Sequence, residues 1–139
     1  MLLGARTYRL FVDYWPTATN EVIAPRLNAL RKVVASTTLD AAPWGDWEPG
    51  VVVRDAVAAV RELKAEDGKD IILWGSISLF HTLFTEGLVD EVQLRVCPLV
   101  LGAGKSVFPT GADSVPLELV EAKPWASGGV LLRYQRTGG

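Results

Sequence analysis

Histidine, cysteine and methionine are nearly absent from the sequence, which contains one residue of each. A single cysteine, Cys97, cannot form an internal disulfide, and with a single histidine, His81, the chain lacks the ligand cluster of a usual zinc site. No segment reaches the roughly 20 consecutive apolar residues of a membrane-spanning helix, and the opening residues are too short an apolar run for a signal peptide. We therefore expect no metal, no membrane association and a cytoplasmic location.

An excess of positive charge is missing as well. The chain has 14 basic and 16 acidic residues, which give a formal net charge of −2, and it has no basic run or stripe. Nucleic-acid binders use basic surfaces to neutralise phosphates, so we do not expect a nucleic acid as partner. With 49% hydrophobic and 22% charged residues in 139 positions, and without repeats or linkers, the sequence predicts one globular domain spanning residues 1–139.

Two glycines each stand where an apolar run gives way to a helical pattern. The run Ile71–Trp74 suits a strand buried on both faces, and Gly75-Ser76 separates it from a helix. At the start of the chain, Met1–Leu3 precedes Gly4 and a second helical pattern follows. The first turn of a helix presents free backbone N–H groups at the positive end of the helix dipole, which favours phosphate binding. Both turns are therefore candidate anion sites.

The first turn after Gly4 contains two side chains suited to an anionic ligand. Arg6 supplies a guanidinium and Thr7 a hydroxyl, beside the free N–H groups of the helix start. The alternative is that Thr7 only caps the helix and that Arg6 is solvated. The residues alone leave both interpretations open.

Capping signals predict two further helix ends. Asp55 is a suitable N-cap for an amphipathic helix that Gly68 ends. Gly87 is placed to end the helix that follows Gly75, in the left-handed conformation of a Schellman motif. Both helices therefore have defined limits in the sequence.

Strands are predicted from alternation and from turn residues. Alternation of apolar and polar residues over 91–96 predicts an antiparallel strand, and residues 31–36 predict another strand. Residues 117–123 and 129–136 predict a hairpin, whereas Ala41–Gly50, with two prolines, is predicted to be a loop. The order of elements predicts an α/β fold in which helices cover a sheet.

The glycine-rich segment 102–106 invites comparison with nucleotide-binding loops. A Walker loop needs glycine at position 99, where the sequence has Leu99, and a helix after the loop. The dinucleotide fingerprint needs glycine at position 107, where the sequence has Val107. Neither template fits, so the segment is interpreted as a loop at a strand end. No pattern identifies a nucleophile or a proton donor, so the sequence assigns no catalytic residue.

Six segments, in this order and spacing, resemble the dihydrofolate reductase-like superfamily: LGARTY at 3–8, YWP at 14–16, KVVASTTL at 32–39, WGS at 74–76, GLVDE at 87–91 and PLVLGAGKSVF at 98–108. The closest resemblance is to the reductase, C-terminal half of the bifunctional riboflavin-biosynthesis deaminase-reductase. It implies a three-layer α/β fold with a mixed, mostly parallel central sheet flanked by helices. The opening strand and substrate loop of the family would precede the position of Met1, so the fold is expected to be truncated at its N-terminus.

The resemblance also implies NADPH as cofactor and assigns residues to it. The helix start at Gly4, Arg6 and Thr7 matches the first phosphate contact of the family. The turn that receives the pyrophosphate corresponds to three consecutive residues: Gly75, Ser76 and Ile77.

Two further sites follow from the same resemblance. Ser36 and Thr37 match the edge that meets the adenosine ribose and its 2′-phosphate. The loop bordering the substrate end of the nicotinamide contains Gly102, Gly104 and Lys105. The family places an arginine directly after the first glycine, where this sequence has Ala5, so the choice between NADPH and NADH stays open.

The implied function is an NADPH-dependent reductase that transfers hydride to a small heterocyclic or carbonyl-like substrate. The substrate would be of the pyrimidine or pterin type, as for the 5-amino-6-(5-phosphoribosylamino)uracil reductase of riboflavin biosynthesis. The alternative is a non-catalytic nucleotide-binding or assembly module of the same fold that lacks the substrate loop. A homodimer is expected, because strands that could pair across a two-fold axis contain apolar residues: Val92, Leu94, Val96 and Leu99.

Overall fold

Parallel strand pairs organise the first part of the chain in the computed structural model, which describes residues 1–111 and 113–137. The chain divides into two compact units, the first comprising Met1–Thr82 and the second beginning at Leu83. The helices and strands that begin in the first unit are β1 (Leu2–Gly4), α1 (Ala5–Val12), a 3-10 turn (Trp15–Thr17), α2 (Ala24–Ala29), β2 (Val33–Ala35), β3 (Ala42–Trp44), β4 (Trp47–Val53), α3 (Ala56–Ala65) and α4 (Ile77–Thr85).

The described strands of the first unit form a sheet in the order β1-β2-β4-β3. Strands β1, β2 and β4 are parallel, and their register aligns Gly4 with Ala35 and Ala35 with Val53. Strand β3 is antiparallel to β4. The carboxyl ends of three strands therefore lie side by side at one edge of this sheet.

Packing of α1 and α2 against this sheet forms the core of the first unit. Its buried members are Leu3, Tyr8, Leu27, Val34, Ala42 and Trp44. Each fully buried large apolar side chain stabilises the fold by about 1.5–3 kcal/mol. The polar atoms of the aromatic residues are paired, because Tyr8 donates to the Pro43 carbonyl at 2.7 Å and Trp44 Nε1 donates to Asn28 Oδ1 at 2.7 Å.

Residues 41–50 form a hairpin, so the prediction of a loop is wrong. Strand β3 and the first half of β4 pair around Gly45, which adopts a positive φ of 57°. Pro43 is tolerated because β3 is an edge strand, where a missing N–H does not break the ladder. The prolines indicated a loop only because the sequence does not show that this strand lies at an edge.

The run Ile71–Trp74 was expected to be a strand buried on both faces, and this prediction is also wrong. It makes an isolated parallel bridge to β1, in which Leu2 N–H donates to Ile72 O at 2.8 Å and Trp74 N–H donates to Leu2 O at 3.3 Å. Ile72 is 49% exposed. Apolar composition indicates an affinity for burial, but burial on both faces requires neighbouring elements that the run itself does not specify.

The second unit contains an antiparallel sheet in the order β5-β7-β6, built from β5 (Glu91–Val96), β6 (Leu117–Pro124) and β7 (Val130–Arg136). The antiparallel strand at 91–96 and the hairpin are confirmed. The Schellman end of α4 is confirmed as well, because Gly87 has φ 71° and Leu88 N–H donates to Leu83 O at 2.9 Å.

The two faces of this antiparallel sheet differ in polarity. One face contains apolar pairs such as Val92 opposite Tyr134. The other face is centred on Arg133, which donates to Glu91 at 2.9 Å and to Glu121 at 3.1 Å. These ion pairs join the two outer strands across the central strand β7.

The coarse fold class, a mixed α/β fold with helices, agrees with the structure. The expectation of one mostly parallel central sheet does not, because the described strands pair as two sheets and parallel ladders occur in the first unit. Parallel neighbouring strands need a long crossover connection. Only five residues separate β6 from β7, so these two strands pair in antiparallel fashion. The three-layer arrangement and the single domain remain predictions. Within the described residues, no helix has the length and apolar character needed to cross a membrane.

Candidate functional site

A cavity opens at the carboxyl ends of the three parallel strands. It has a volume of about 310 Å³ and is lined by Ala5, Ala35, Ser36, Thr37, Thr38 and Arg54. Each strand contributes the residues that directly follow its last paired position, since Gly4, Ala35 and Val53 are aligned. Ligands of parallel sheets bind at this edge, because the loops that leave the strands converge there.

The N-terminus of α1 lies beside this cavity. Gly4 occupies the N-cap position in an extended conformation and offers no side chain to the N–H groups of the first turn. The first turn contains no acidic residue, Ala5 lines the cavity and Arg6 is exposed. The helix start thus presents positive potential and N–H groups suited to an anion.

Ser36 shapes the loop that follows β2. Its hydroxyl accepts hydrogen bonds from the N–H groups of Thr38 at 3.1 Å and Leu39 at 3.0 Å, and its own N–H donates to Val53 O at 3.0 Å. A serine hydroxyl accepts two hydrogen bonds and donates one, so only the donor remains for a ligand. Ser36 is buried, whereas Thr37 is exposed at the tip of the turn.

Arg54 belongs to the cavity and was missed in the sequence. Its Nη1 donates to Ser36 O at 2.8 Å, and its Nη2 lies 3.6 Å from the Asp40 carboxylate. The side chain is 53% exposed, so the guanidinium keeps a face toward the cavity opening and solvent. The signal was present, because Arg54 directly follows the apolar run Val51–Val53, but its meaning depends on β4 being parallel to β2.

A second cluster joins the two helix starts that the sequence singled out. The Ser76 hydroxyl accepts the Gly4 N–H at 2.8 Å and lies 2.9 Å from Thr7 Oγ1. Gly75 has φ 56°, and a Cβ there would lie 3.4 Å from Thr7 Oγ1. Four of the predicted cofactor residues, Gly4, Thr7, Gly75 and Ser76, are therefore in direct contact or closely packed.

Apart from Arg6, which is exposed in the first turn of α1, the remaining predicted residues occupy three different places. Ser36 and Thr37 line the cavity, and Ile77 begins α4 with an exposed side chain. Gly102, Gly104 and Lys105 lie in the second unit, in an exposed segment outside the helices and strands. Their role beside a substrate remains a prediction.

The sequence of this chain is similar to a known family of protein domains. The family model of the RibD C-terminal domain matches residues 1–131, and the chain belongs to that family. A relative with clear sequence similarity is the uncharacterised protein YyaP of Bacillus subtilis (strain 168), which is 30% identical over 143 residues that cover 99% of this chain and 74% of the relative.

Solved structures of low sequence identity share the fold. A putative riboflavin biosynthesis protein from Shewanella sp. PV-4 matches with a TM-score of 0.77 at 17% identity, over 99% of this chain and 73% of its own. A pyrimidine reductase-like protein from Corynebacterium diphtheriae matches with a TM-score of 0.69 at 14% identity, over 99% of this chain and 75% of its own. RibD of Acinetobacter baumannii matches with a TM-score of 0.66 at 13% identity, over 98% of this chain and 46% of its own.

Proposed function

We propose that this protein is an NADPH-dependent reductase that transfers hydride to a small heterocyclic substrate of the pyrimidine type. Membership of the RibD C-terminal domain family and the fold shared with a pyrimidine reductase-like protein support the reductase class. The observation that carries the proposal is the cavity at the carboxyl edge of the parallel sheet, where an uncapped helix start and a guanidinium meet.

The donors at this edge fit the phosphates of a dinucleotide. The first-turn N–H groups of α1, residues 5–7, would hold one phosphate group, because they point out of the helix at the positive end of its dipole. The turn at Gly75-Ser76 would receive the neighbouring phosphate. The cofactor supplies the hydride, and the protein supplies binding and orientation.

Arg54 would recognise the feature that distinguishes NADPH from NADH. The 2′-phosphate carries negative charge, and a guanidinium forms charge-assisted hydrogen bonds with phosphate oxygens. Thr37, exposed beside Arg54 in the same cavity, would add a neutral donor. The family pattern has an arginine where this sequence has Ala5. Arg54, which directly follows β4, would provide that positive charge instead.

Binding of NADPH and NADH to the purified chain, measured by calorimetry, tests the proposal. For Arg54→Met we expect the Kd for NADPH to rise on the order of 10- to 100-fold while the Kd for NADH changes much less, because one charge-assisted contact is lost. Arg31→Met is the matched control, since Arg31 is exposed and pairs with Glu66 away from the cavity. Absence of NADPH binding to the wild-type chain at millimolar concentration would overturn the proposal.

Turnover separates the reductase from a binding module of the same fold. NADPH oxidation is followed by its absorbance with 5-amino-6-(5-phosphoribosylamino)uracil as the probe substrate. Oxidation that depends on the uracil compound supports the reductase, and tight NADPH binding without oxidation of NADPH favours the non-catalytic module.

The homodimer expected from the sequence stays a prediction. Val96 and Leu99 are 50% and 71% exposed in the isolated chain. Light scattering coupled to size-exclusion chromatography measures the mass directly.

A further inference from the structure

Ser76 has an unusual backbone for a residue with a side chain. Its φ is 55°, and among the described residues it is the only non-glycine residue with positive φ. The left-handed region is unfavourable for residues with a Cβ, and such residues persist only where their surroundings hold them. Glycine would adopt the same conformation without strain. Something in the contacts of Ser76 therefore compensates for the strain.

The hydroxyl of Ser76 makes three contacts. It accepts the Gly4 N–H at 2.8 Å, and it lies 2.9 Å from Thr7 Oγ1 and 3.1 Å from Trp74 O. A serine hydroxyl has one donor and two acceptor positions. If it accepts from Gly4 and from Thr7 and donates to Trp74, each of these positions is used.

The three contacts of the hydroxyl are not with α4, which begins at the next residue, Ile77. The Ser76 carbonyl accepts the Phe80 N–H at 2.8 Å, which is the first hydrogen bond of α4. The side chain reaches instead to β1 and α1, elements 69 to 72 positions away in the sequence. The approach is close, because a Cβ added at Gly4 would lie 3.0 Å from the Ser76 oxygen.

We propose that Ser76 is a positioning residue that fastens the start of α1 to the Gly75-Ser76 turn. Its bonds to Gly4 and Thr7 bracket residues 5–7, whose N–H groups form the phosphate site proposed above, so the inference rests on that proposed function. Ser76 orders these groups before the cofactor arrives, and binding then costs less conformational entropy.

Two substitutions of Ser76 distinguish the effect of its hydroxyl from the effect of its strained backbone. Ser76→Ala removes the hydroxyl and keeps the strained backbone, whereas Ser76→Gly removes both. We expect both variants to weaken NADPH binding to a similar extent, on the order of tenfold, because both lose the same hydrogen bonds. We also expect Ser76→Gly to melt at a higher temperature than Ser76→Ala.

A purely structural role predicts a different result. Affinity would then follow stability, and Ser76→Gly would bind NADPH more tightly than Ser76→Ala. Ser78→Ala is the control, because Ser78 is an exposed serine in the first turn of the same helix. Equal affinity of the wild-type chain and both Ser76 variants would overturn the inference while leaving the proposed function intact.

Thr7 provides an independent arm of the test. Thr7→Val removes its hydroxyl with little change in shape, and Thr7→Ser retains it. The losses in affinity caused by Thr7→Val and Ser76→Ala should be less than additive in the double variant, because both break one network. Full additivity would contradict the network, and rescue by Thr7→Ser would support it.

Hydrogen exchange gives a readout without any ligand. In the Ser76→Ala and Ser76→Gly chains, the Gly4 N–H loses its acceptor and should exchange faster than in the wild-type chain, with the Ser78→Ala chain unchanged. This result would support the fastening role even if NADPH binding, and with it the proposed function, failed. Unchanged exchange at the Gly4 N–H would overturn it.

Discussion

The two sheets of this protein use their polar residues in different ways. In the first unit β1, β2 and β4 run in one direction, so the residues that follow Gly4, Ala35 and Val53 collect at one edge. In the second unit neighbouring strands run in opposite directions, and polar residues collect on one face around Arg133. Parallel pairing concentrates loop residues at the carboxyl edge, which suits a ligand site. Antiparallel alternation instead divides a sheet into two unlike faces.

The sheets also differ in how their side chains are buried. Leu3, Val34 and Trp44 in the first unit are 0% exposed. In the outer strand β6 of the second unit, Leu119 and Val120 are 51% and 45% exposed. Stability should therefore respond more strongly to changes in the first sheet, and the substitutions below test this comparison.

Trp44→Ala should have the largest effect. The side chain is fully buried and its Nε1 bonds to Asn28, so removal leaves a cavity and an unpaired amide oxygen. We expect the free energy of unfolding to fall by about 3–5 kcal/mol. Chemical denaturation measures the change, with Leu119→Ala as the exposed control expected within about 0.5 kcal/mol of the wild type. Similar losses in the free energy of unfolding for the two variants would contradict the expectation that stability depends more on the first sheet than on the second.

Lys32→Met should have an intermediate effect. Lys32 is buried, and its ammonium donates to Asn28 O and to Glu48 O and lies 5.2 Å from the centre of the Trp44 ring. Methionine fills similar space but leaves the two carbonyls without this donor. We expect a loss of about 1–3 kcal/mol in the free energy of unfolding at neutral pH.

The same residue predicts a dependence on pH. Burial lowers the pKa of Lys32 below its ordinary value of 10.5, with a smaller opposing contribution from Glu48. The unfolded chain then binds more protons than the folded chain between the lowered pKa and 10.5, so this group adds stability as pH rises through that range. Denaturation at neutral and alkaline pH should show the gap between wild type and Lys32→Met widening. A constant gap would contradict the lowered pKa.

Glu91→Gln should have the smallest effect, because its ion pair with Arg133 is partly exposed and screened by solvent. We expect the melting temperature to fall by roughly 1–3 °C at neutral pH. Hydrogen bonds from Arg133, and then from Gln93, lower the pKa of Glu91 below its ordinary value of 4.5. The stabilisation is therefore present above pH 4.5 and is lost as pH falls through the lowered pKa.

Thermal melting at neutral and acidic pH checks this prediction. The difference between wild type and Glu91→Gln should shrink in acid. An effect as large as that of Trp44→Ala would show that the polar face of the second sheet matters more than its exposure indicates.

Local patterns predicted several elements correctly. Asp55 caps α3 by accepting the Ala58 N–H at 3.0 Å, and Gly87 ends α4 as expected. These signals act within a few residues, so the sequence contains most of them. The predicted end of α3 at Gly68 is wrong, because the helix ends at Ala65 with Glu66 as its C-cap. The position of a strand within a sheet depends on residues far away in the sequence. For this reason β3 was predicted to be a loop, and Ile71–Trp74 was predicted to be a buried strand.

Only the part of the candidate site that depends on local patterns was predicted from the sequence. Gly4 and Gly75 mark transitions into helices, and each transition is a local pattern. The contact of Ser76 with Gly4 and Thr7 joins residues 69 or more positions apart, and no spacing in the sequence indicates it. Arg54 entered the site only because β4 pairs in parallel with β2.

By itself, the sequence determined the helix ends that depend on local signals, such as Asp55 in α3 and Gly87 in α4, the antiparallel hairpin near the end of the chain, and which family the chain resembles. Tertiary structure decided which strand ends share an edge, which serine hydroxyl reaches a neighbouring helix and which arginine lines the cavity. Helix caps and side-chain alternation depend on neighbours within about one or two turns of chain. Strand order and register depend on distant partners, and they bring the residues of this site together.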